Sequence, residues 1–178
     1  MHITELTSVF FPAVIKLANQ IHGDNYLSLI NLTQMQQQGI TQGINASFVA
    51  LNAQQQVVGY RLSFAAGQWL HDNWCSEALW PVPAEQMAYF KSVGVCPSQR
   101  GKGIASQLLK TSIAALQQQG ATAGLAHIWR ESPGNAAERT GMLWALERLT
   151  REVAAVSGVD EAGAAKQVDS VLVGRVAA

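Results

Sequence analysis

The chain has 178 residues, 48% hydrophobic and 13% charged, which suits one compact domain and is too apolar for disorder throughout. Twelve basic and twelve acidic side chains cancel to a formal net charge of zero, which argues against a nucleic-acid partner, because such partners select a basic excess. No apolar run approaches the ~18 residues needed to cross a bilayer, so no membrane partner is expected.

The N-terminus, Met1-His2-Ile3-Thr4-Glu5, lacks the basic stretch and apolar core of a signal peptide. The two cysteines, Cys75 and Cys96, show neither metal-ligand spacing nor a CxxC pattern. These features set the expectation of a cytoplasmic protein with reduced thiols and no metal. Over residues 8–21, Phe10, Val14, Leu17, Ala18 and Ile21 share one helical face, with Pro12 in the first turn and Gly23 as the stop. A second short helix is expected over 28–38, ended by Gly39. Ser47–Leu51 and Val57–Phe64 are β-branched and aromatic enough for two strands, joined by a polar hairpin loop, with Gly59 as the mark of a bulge.

Residues 66–85 hold Trp69, His71, Trp74, Cys75, Glu77, Trp80, Pro81, Pro83 and Glu85 without helical or strand period. A long surface loop is expected, and such loops are often functional. Met87–Val95 then forms a strand, followed by the turn Gln99-Arg100-Gly101-Lys102-Gly103. A helix runs from about residue 103 to Gln119, apolar at Ala105, Leu108, Leu109, Ile113 and Leu116, and Gly120 ends it. Leu125–Trp129 follows as a buried strand, completing a βαβ unit with parallel strands. Beyond it, Ala136–Val156 has the pattern of one helix and Val168–Val176 that of a final strand. Sixteen of seventeen glutamines lie at or before Gln119, while five of seven arginines lie at or after Arg130, so the tail differs in composition.

The turn at 100–105 carries the chemistry. A helix start offers unpaired N–H groups and the positive end of a dipole, the natural place for an anion. Gly101 and Gly103 clear side chains from the approach, and Arg100 and Lys102 add positive charge. A P-loop needs Gly-x-x-x-x-Gly-Lys-Ser/Thr, and here Gly103 follows Lys102. The dinucleotide pattern Gly-x-Gly-x-x-Gly fails at Ile104, Ala105 and Ser106.

Arg100-Gly101-Lys102-Gly103-Ile104-Ala105 resembles the coenzyme-A motif of the GNAT acetyltransferase superfamily, Arg/Gln-x-x-Gly-x-Gly/Ala. Val93-Gly94-Val95 on the preceding strand is similar to the family's other acyl-CoA element. The resemblance covers roughly residues 1–135. It implies an α/β fold, a mixed and splayed central sheet with helices on both faces, in a single domain over 1–178 with an atypical tail from 136. It also implies acetyl-CoA as co-substrate, an amine acceptor that is a small molecule or a peptide, and a homodimer as the assembly. Backbone groups at Val93 and Val95, with Gly94 between them, would pair with the pantetheine arm. Amides of Arg100, Gly101, Lys102, Gly103, Ile104 and Ala105 would hold the pyrophosphate. Asn135 resembles an asparagine that opens the next helix and bonds the pantetheine, although asparagine is also a routine helix cap.

By this resemblance a neutral amine attacks the thioester, so a base must reach it and an oxyanion needs a backbone donor near Val95. Glu85 and Tyr89 are the candidate bases, sharing parity with 93 and 95 and hence one face of a regular strand. Glu77 and His71 are further options. A solvated carboxylate is the plainer account of Glu85 and Glu77, and a half-buried strand aromatic that of Tyr89. Many family members use a tyrosine after the next strand as the thiolate's acid, but this chain's tyrosines are Tyr26, Tyr60 and Tyr89. An active N-acetyltransferase and an acyl-CoA-binding module without catalysis therefore both stay open.

Overall fold

The computed structural model describes residues 1–72, 77, 80–126 and 172–175. After strand β1 (His2–Glu5) and a 3-10 turn at Ser8–Phe10, helix α1 (Phe11–His22) starts with Pro12 in its first turn and buries Phe11, Val14, Leu17 and Ala18. Gly23, at φ 104°, stops it in a backbone region that side chains disfavour. Helix α2 (Leu29–Thr41) is capped by Ser28, whose Oγ accepts the Asn31 N–H at 3.2 Å. The short connection is pinned by Asn19, whose Oδ1 accepts the Leu27 N–H at 2.8 Å and whose Nδ2 donates to the Leu27 carbonyl at 3.1 Å.

The expected stop at Gly39 is corrected. α2 runs through it to Thr41, because Gly39 is a packing glycine: a Cβ there would lie 2.9 Å from the Ile44 carbonyl oxygen and 3.1 Å from Phe64. β2 (Phe48–Leu51), β3 (Val57–Ala65) and β4 (Met87–Val95) follow, then α3 (Ile104–Gln118), β5 (Ala123–Ala126) and β6 (Leu172–Arg175). The sheet order is β1-β2-β3-β4-β5-β6, with β4–β5 parallel and every other pairing antiparallel. β1 went unanticipated, since four residues with one aliphatic side chain give no readable period. β5 begins two residues before the expected Leu125, and the expected Trp129 end lies outside the described residues, as do Trp74, Cys75, His127, Asn135 and the 136–156 helix. Among the described residues, no helix is long and apolar enough to cross a membrane.

α1 and α2 cover one face of the sheet, packing on Val49, Leu51, Tyr60, Leu62 and Phe64. α3 covers the other, with Ile104, Leu108 and Leu116 against Ala50, Val58, Ala65 and Ala88. Ser112 anchors α3, its Oγ 2.8 Å from the Ala46 carbonyl and 2.9 Å from Ser63 Oγ. Two bulges shape the sheet. On β3 the extra residue is Val58, beside Gly59, where a bulge was expected. On β4 it is Lys91, since Leu62 pairs with Ser92 while Ser63 pairs with Phe90.

The aromatic segment after β3 is partly a packed collar. Trp69, in a 3-10 turn at Ala66–Trp69, meets Tyr89 edge-on at 4.6 Å and Phe64 at 6.4 Å. Trp80 and Val82 pack on the cluster of Met87 and Tyr89. These contacts pin the segment to the core.

Gly94 is held to glycine by the Tyr60 ring. A Cβ there would sit 2.4 Å from Tyr60 Cε1 and 2.9 Å from Ile21 Cδ1. Gly94→Ala is expected to destabilise the fold by about 1–3 kcal/mol through this overpacking. Urea denaturation should show a lower midpoint at unchanged slope; an unaltered midpoint would refute the packing role.

Candidate active site

The central feature is β4, which among the described residues is paired on both sides only at Ala88 and Tyr89. β4 keeps its ladder with β3 from Ala88 to Val95, but its parallel pairing with β5 covers only Met87, Ala88 and Tyr89. Beyond Tyr89, no described residue pairs with the β5 side of β4. The Cys96 N–H donates to the Val58 carbonyl at 2.9 Å, so Cys96 and Val58 form a hydrogen-bonded antiparallel pair. Alternation along the ladder then turns the N–H and C=O groups of Val93 and Val95 away from β3, toward the open side. Gly94, between them, is directed at Tyr60 on β3.

The open edge leads into the α3 start. Gly101 and Gly103 have φ of 77° and 73°, left-handed values, and a Cβ on either would meet nothing within 4 Å. Gly103 is the cap residue, no side chain caps the helix, and its first turn holds no acidic residue. The amides of Ile104 and Ala105 therefore have no intrahelical acceptor. Arg100 Nε donates to the Val95 carbonyl at 3.4 Å, and Lys102 Nζ to Gln99 Oε1 at 2.8 Å. The first turn of α3 seats on Gly59, where a Cβ would lie 3.0 Å from Ile104 and 3.3 Å from Leu108. The absent side chain at position 59 thus brings the helix end close to the end of β4.

The candidate bases fare differently. Lys91, as an extra residue, inverts the strand's alternation, so Tyr89 faces α1 and α2 while Val93 and Val95 face α3. The shared face expected from parity is lost. Tyr89 is a buried core aromatic against Trp69. Glu85 is exposed in a 3-10 turn at Ala84–Gln86, beyond the start of β4, which itself runs about 13 Å from Met87 to Lys91 at ~3.3 Å per residue. The structure does not bring Glu85 and Tyr89 together with Val93–Val95. Glu77 is exposed in the collar, as is His71. Asn135 lies outside the described residues.

A different polar group occupies the α1 face of β4. The buried Tyr60 hydroxyl lies 3.0 Å from Ser92 Oγ and 3.1 Å from His22 Nε2. Tyr26 stacks on His22 at a ring separation of 4.4 Å, and the Lys91 ammonium lies 5.7 Å from the Tyr26 ring centre. Burial raises the Tyr26 and Tyr60 pKa values and lowers that of Lys91, with Asp72 partly opposing the Lys91 shift. Sequence reasoning missed this group because it depends on the β3–β4 register, which no local pattern announces. On the α3 face, buried Arg61 lies 4.5 Å over the Phe90 ring and its Nε donates to Ser63 Oγ at 3.3 Å. Among the described residues, no group of three His, Cys, Asp or Glu side chains converges as a metal site would require.

The described residues form a mixed sheet whose central strand β4 runs into an uncapped, glycine-lined helix start. The chain belongs to the acetyltransferase (GNAT) family, whose model matches residues 15–139. No curated protein matches at a significant level. Among solved structures, it is similar to a ribosomal-protein-alanine N-acetyltransferase from Brucella melitensis at 23% identity and TM-score 0.55, over 79% of this chain and 80% of that one. It is similar to yncA, a putative acetyltransferase from Salmonella typhimurium solved with acetyl-CoA, at 20% identity and TM-score 0.56, over 78% and 74%. Ard1 from Thermoplasma volcanium matches at 15% identity and TM-score 0.56, over 80% of each chain. At these identities the likeness is one of fold.

The buried phenol makes stability depend on pH. Burial raises Tyr60 well above its ordinary pKa of 10.0, so it stays protonated in the native state where the unfolded chain ionises. The unfolded state then binds fewer protons, and stability falls as pH rises past about 10, by up to ~1.4 kcal/mol per pH unit. Tyr60→Phe lacks this contribution. The stability gap between wild type and Tyr60→Phe, from urea titrations, should be level up to about pH 9 and shift against the wild type by about that slope above pH 10. A gap that stays constant throughout would contradict the buried phenol.

Proposed function

We propose that this chain transfers an acetyl group from acetyl-CoA to a primary amine, by direct attack of the amine on the thioester. The observation that carries the reading is the β4 edge, unpaired beyond Tyr89 among the described residues, running into the uncapped Gly101–Gly103 turn. An extended arm with amide groups can take the place of a neighbouring strand along Val93 and Val95, as an added strand would. A pyrophosphate then meets the amides from Gly101 to Ala105 and the positive end of α3, the Arg100 amide being bonded to the Pro97 carbonyl at 3.3 Å. That an acetyltransferase of this fold from Salmonella typhimurium was solved with acetyl-CoA supports the choice of ligand.

The division of labour follows from the backbone. The Val93 and Val95 groups orient the donor, and an N–H of this edge, near Val95, donates to the oxygen that gains charge as the amine adds. Arg100, bound to the Val95 carbonyl when no ligand is present, exchanges that contact for the phosphates. The acceptor class is a primary amine, on a small molecule or a peptide terminus. Glu85 and Tyr89 receive no catalytic role, given their distance and face.

Gly103→Glu tests the placement. It forces a side chain into a left-handed position and sets a carboxylate where a phosphate would lie. Calorimetric titration should show acetyl-CoA binding to the wild type and none to the variant. Wild-type protein that fails to bind at high micromolar concentration would defeat the assignment, and so would a variant that binds normally. Binding without thiol release across an amine library would favour a module that holds acyl-CoA without transferring from it.

A further inference from the structure

The polar group on the α1 face has a direction. Ser92, Tyr60 and His22 come from β4, β3 and α1, and their oxygen and nitrogen atoms stand 3.0 and 3.1 Å apart in sequence, with His22 Nε2 also 3.5 Å from Ser92 Oγ. Tyr60 is fully buried, Ser92 is nearly so, and His22 is exposed. One end lies beside the Lys91 bulge, a single residue before Val93; the other meets water. Each hydroxyl can donate and accept at once, so a proton can be handed along without any hydroxyl remaining charged. A buried tyrosine needs only one partner for its hydroxyl. Tyr60 has two, and the second is a side chain whose ordinary titration range spans neutral pH. Among the described residues, Tyr26, Lys91 and, through Lys91, Asp72 are the other titratable groups facing this chain of atoms.

We propose that Ser92, Tyr60 and His22 form the route by which the proton shed by the acceptor amine leaves the β4 edge. This rests on the acetyl-transfer reading and deepens it. The amine lone pair forms the C–N bond, and the C–S bond breaks with its electron pair going to sulfur. The surplus proton on nitrogen passes to Ser92 Oγ while the Ser92 proton moves to the Tyr60 oxygen and the Tyr60 proton to His22 Nε2. The exposed imidazolium then passes a proton on to solvent, and the thiolate takes one up, leaving amide and thiol. Burial keeps the phenol protonated at neutral pH, so Tyr60 conducts and does not act as a standing base. Ser92 is the member that touches substrate; Tyr60 and His22 act through it.

The test uses the full chain. Calorimetry first establishes acetyl-CoA binding. Imidazole nitrogen NMR against pH then follows His22 in wild type and Tyr60→Phe, and thiol release is measured with benzylamine, an alanine-initiated hexapeptide and water as acceptors. The midpoint of His22 should move in Tyr60→Phe. The acid limb of kcat/KM should coincide with the wild-type midpoint and vanish in His22→Gln, whose kcat should drop about 100-fold with KM for acetyl-CoA unchanged. Added imidazole should restore part of that rate, and Ser92→Ala should lose kcat similarly. His22→Gln alters an exposed side chain, so its result stands even if the buried variants fold poorly. An unmoved His22 midpoint, or a His22→Gln pH profile that superimposes on wild type, overturns the relay while leaving acetyl-CoA binding intact. Binding without turnover of any of the three acceptors overturns transfer and relay together, and absence of binding overturns the acetyl-CoA reading itself.

Discussion

One constraint organises the described residues: β4 stays paired to β3 from Ala88 to Val95, while its described pairing with β5 stops at Tyr89. Interior backbone groups rarely go unpaired, because a buried N–H or C=O without a partner is costly. Here the parting follows Tyr89, where Phe90 and the extra residue Lys91 interrupt regular alternation. Phe90 lies against Gly124 of β5, where a Cβ would come within 2.5 Å of its ring. Gly124 thus leaves room for the Phe90 ring to lie flat on the α3 face of the sheet, and the bulge adds twist beyond it. Among the described residues no strand pairs with Val93 and Val95 on that side, and the Val95 carbonyl takes the Arg100 side chain instead.

The same bulge sorts chemistry by face. Toward α3 lie Arg61, Phe90, Val93 and Val95, with Gly59 drawing the helix start in close. Toward α1 and α2 lie Tyr60, Leu62 and Ser92, with Gly94 making room for the Tyr60 ring. Had the strand been regular, Ser92 would have pointed with Phe90, away from Tyr60 and His22. One inserted residue therefore places a polar, partly solvated group on the face opposite α3. Gly59 and Gly94, adjacent parts of the same ladder, each yield space to a different face.

Much of this was legible because it is local. The amphipathic helices, the β3 strand with its bulge beside Gly59, and the strand–turn–helix that ends in Gly101 and Gly103 all follow from period and punctuation. Gly103 was readable as a turn residue because a left-handed cap favours glycine whatever surrounds it. Gly39 looked identical in sequence and was instead a helix-interior residue pressed on Phe64, a distinction made only by tertiary contact. The β4 bulge was equally silent, since nothing in Phe90-Lys91-Ser92 signals an extra residue. Parity reasoning then carried Tyr89 to the wrong face. The polar group formed by His22, Tyr60 and Ser92 depends on three segments meeting, so no window of sequence contains it.

The charge around β4 bears on how an amine could react there. Arg61 is buried beneath the strand, its pKa lowered to about 10 by burial alone, so it keeps its charge at neutral pH. Lys91 stands at the bulge itself, and Glu85 lies far along the strand. Such surroundings disfavour an ammonium ion and favour the neutral amine, which is the nucleophilic form. They equally favour negative charge developing on a thioester oxygen and on a departing thiolate. A carboxylate base in this place would attract the ammonium and hold its proton more tightly. A neutral relay ending in an imidazole accepts the proton only as the C–N bond forms and returns it to water at a distance. Among the described residues Asp72, which acts on Lys91, is the acid that bears on β4, and its charge partly offsets that of the lysine.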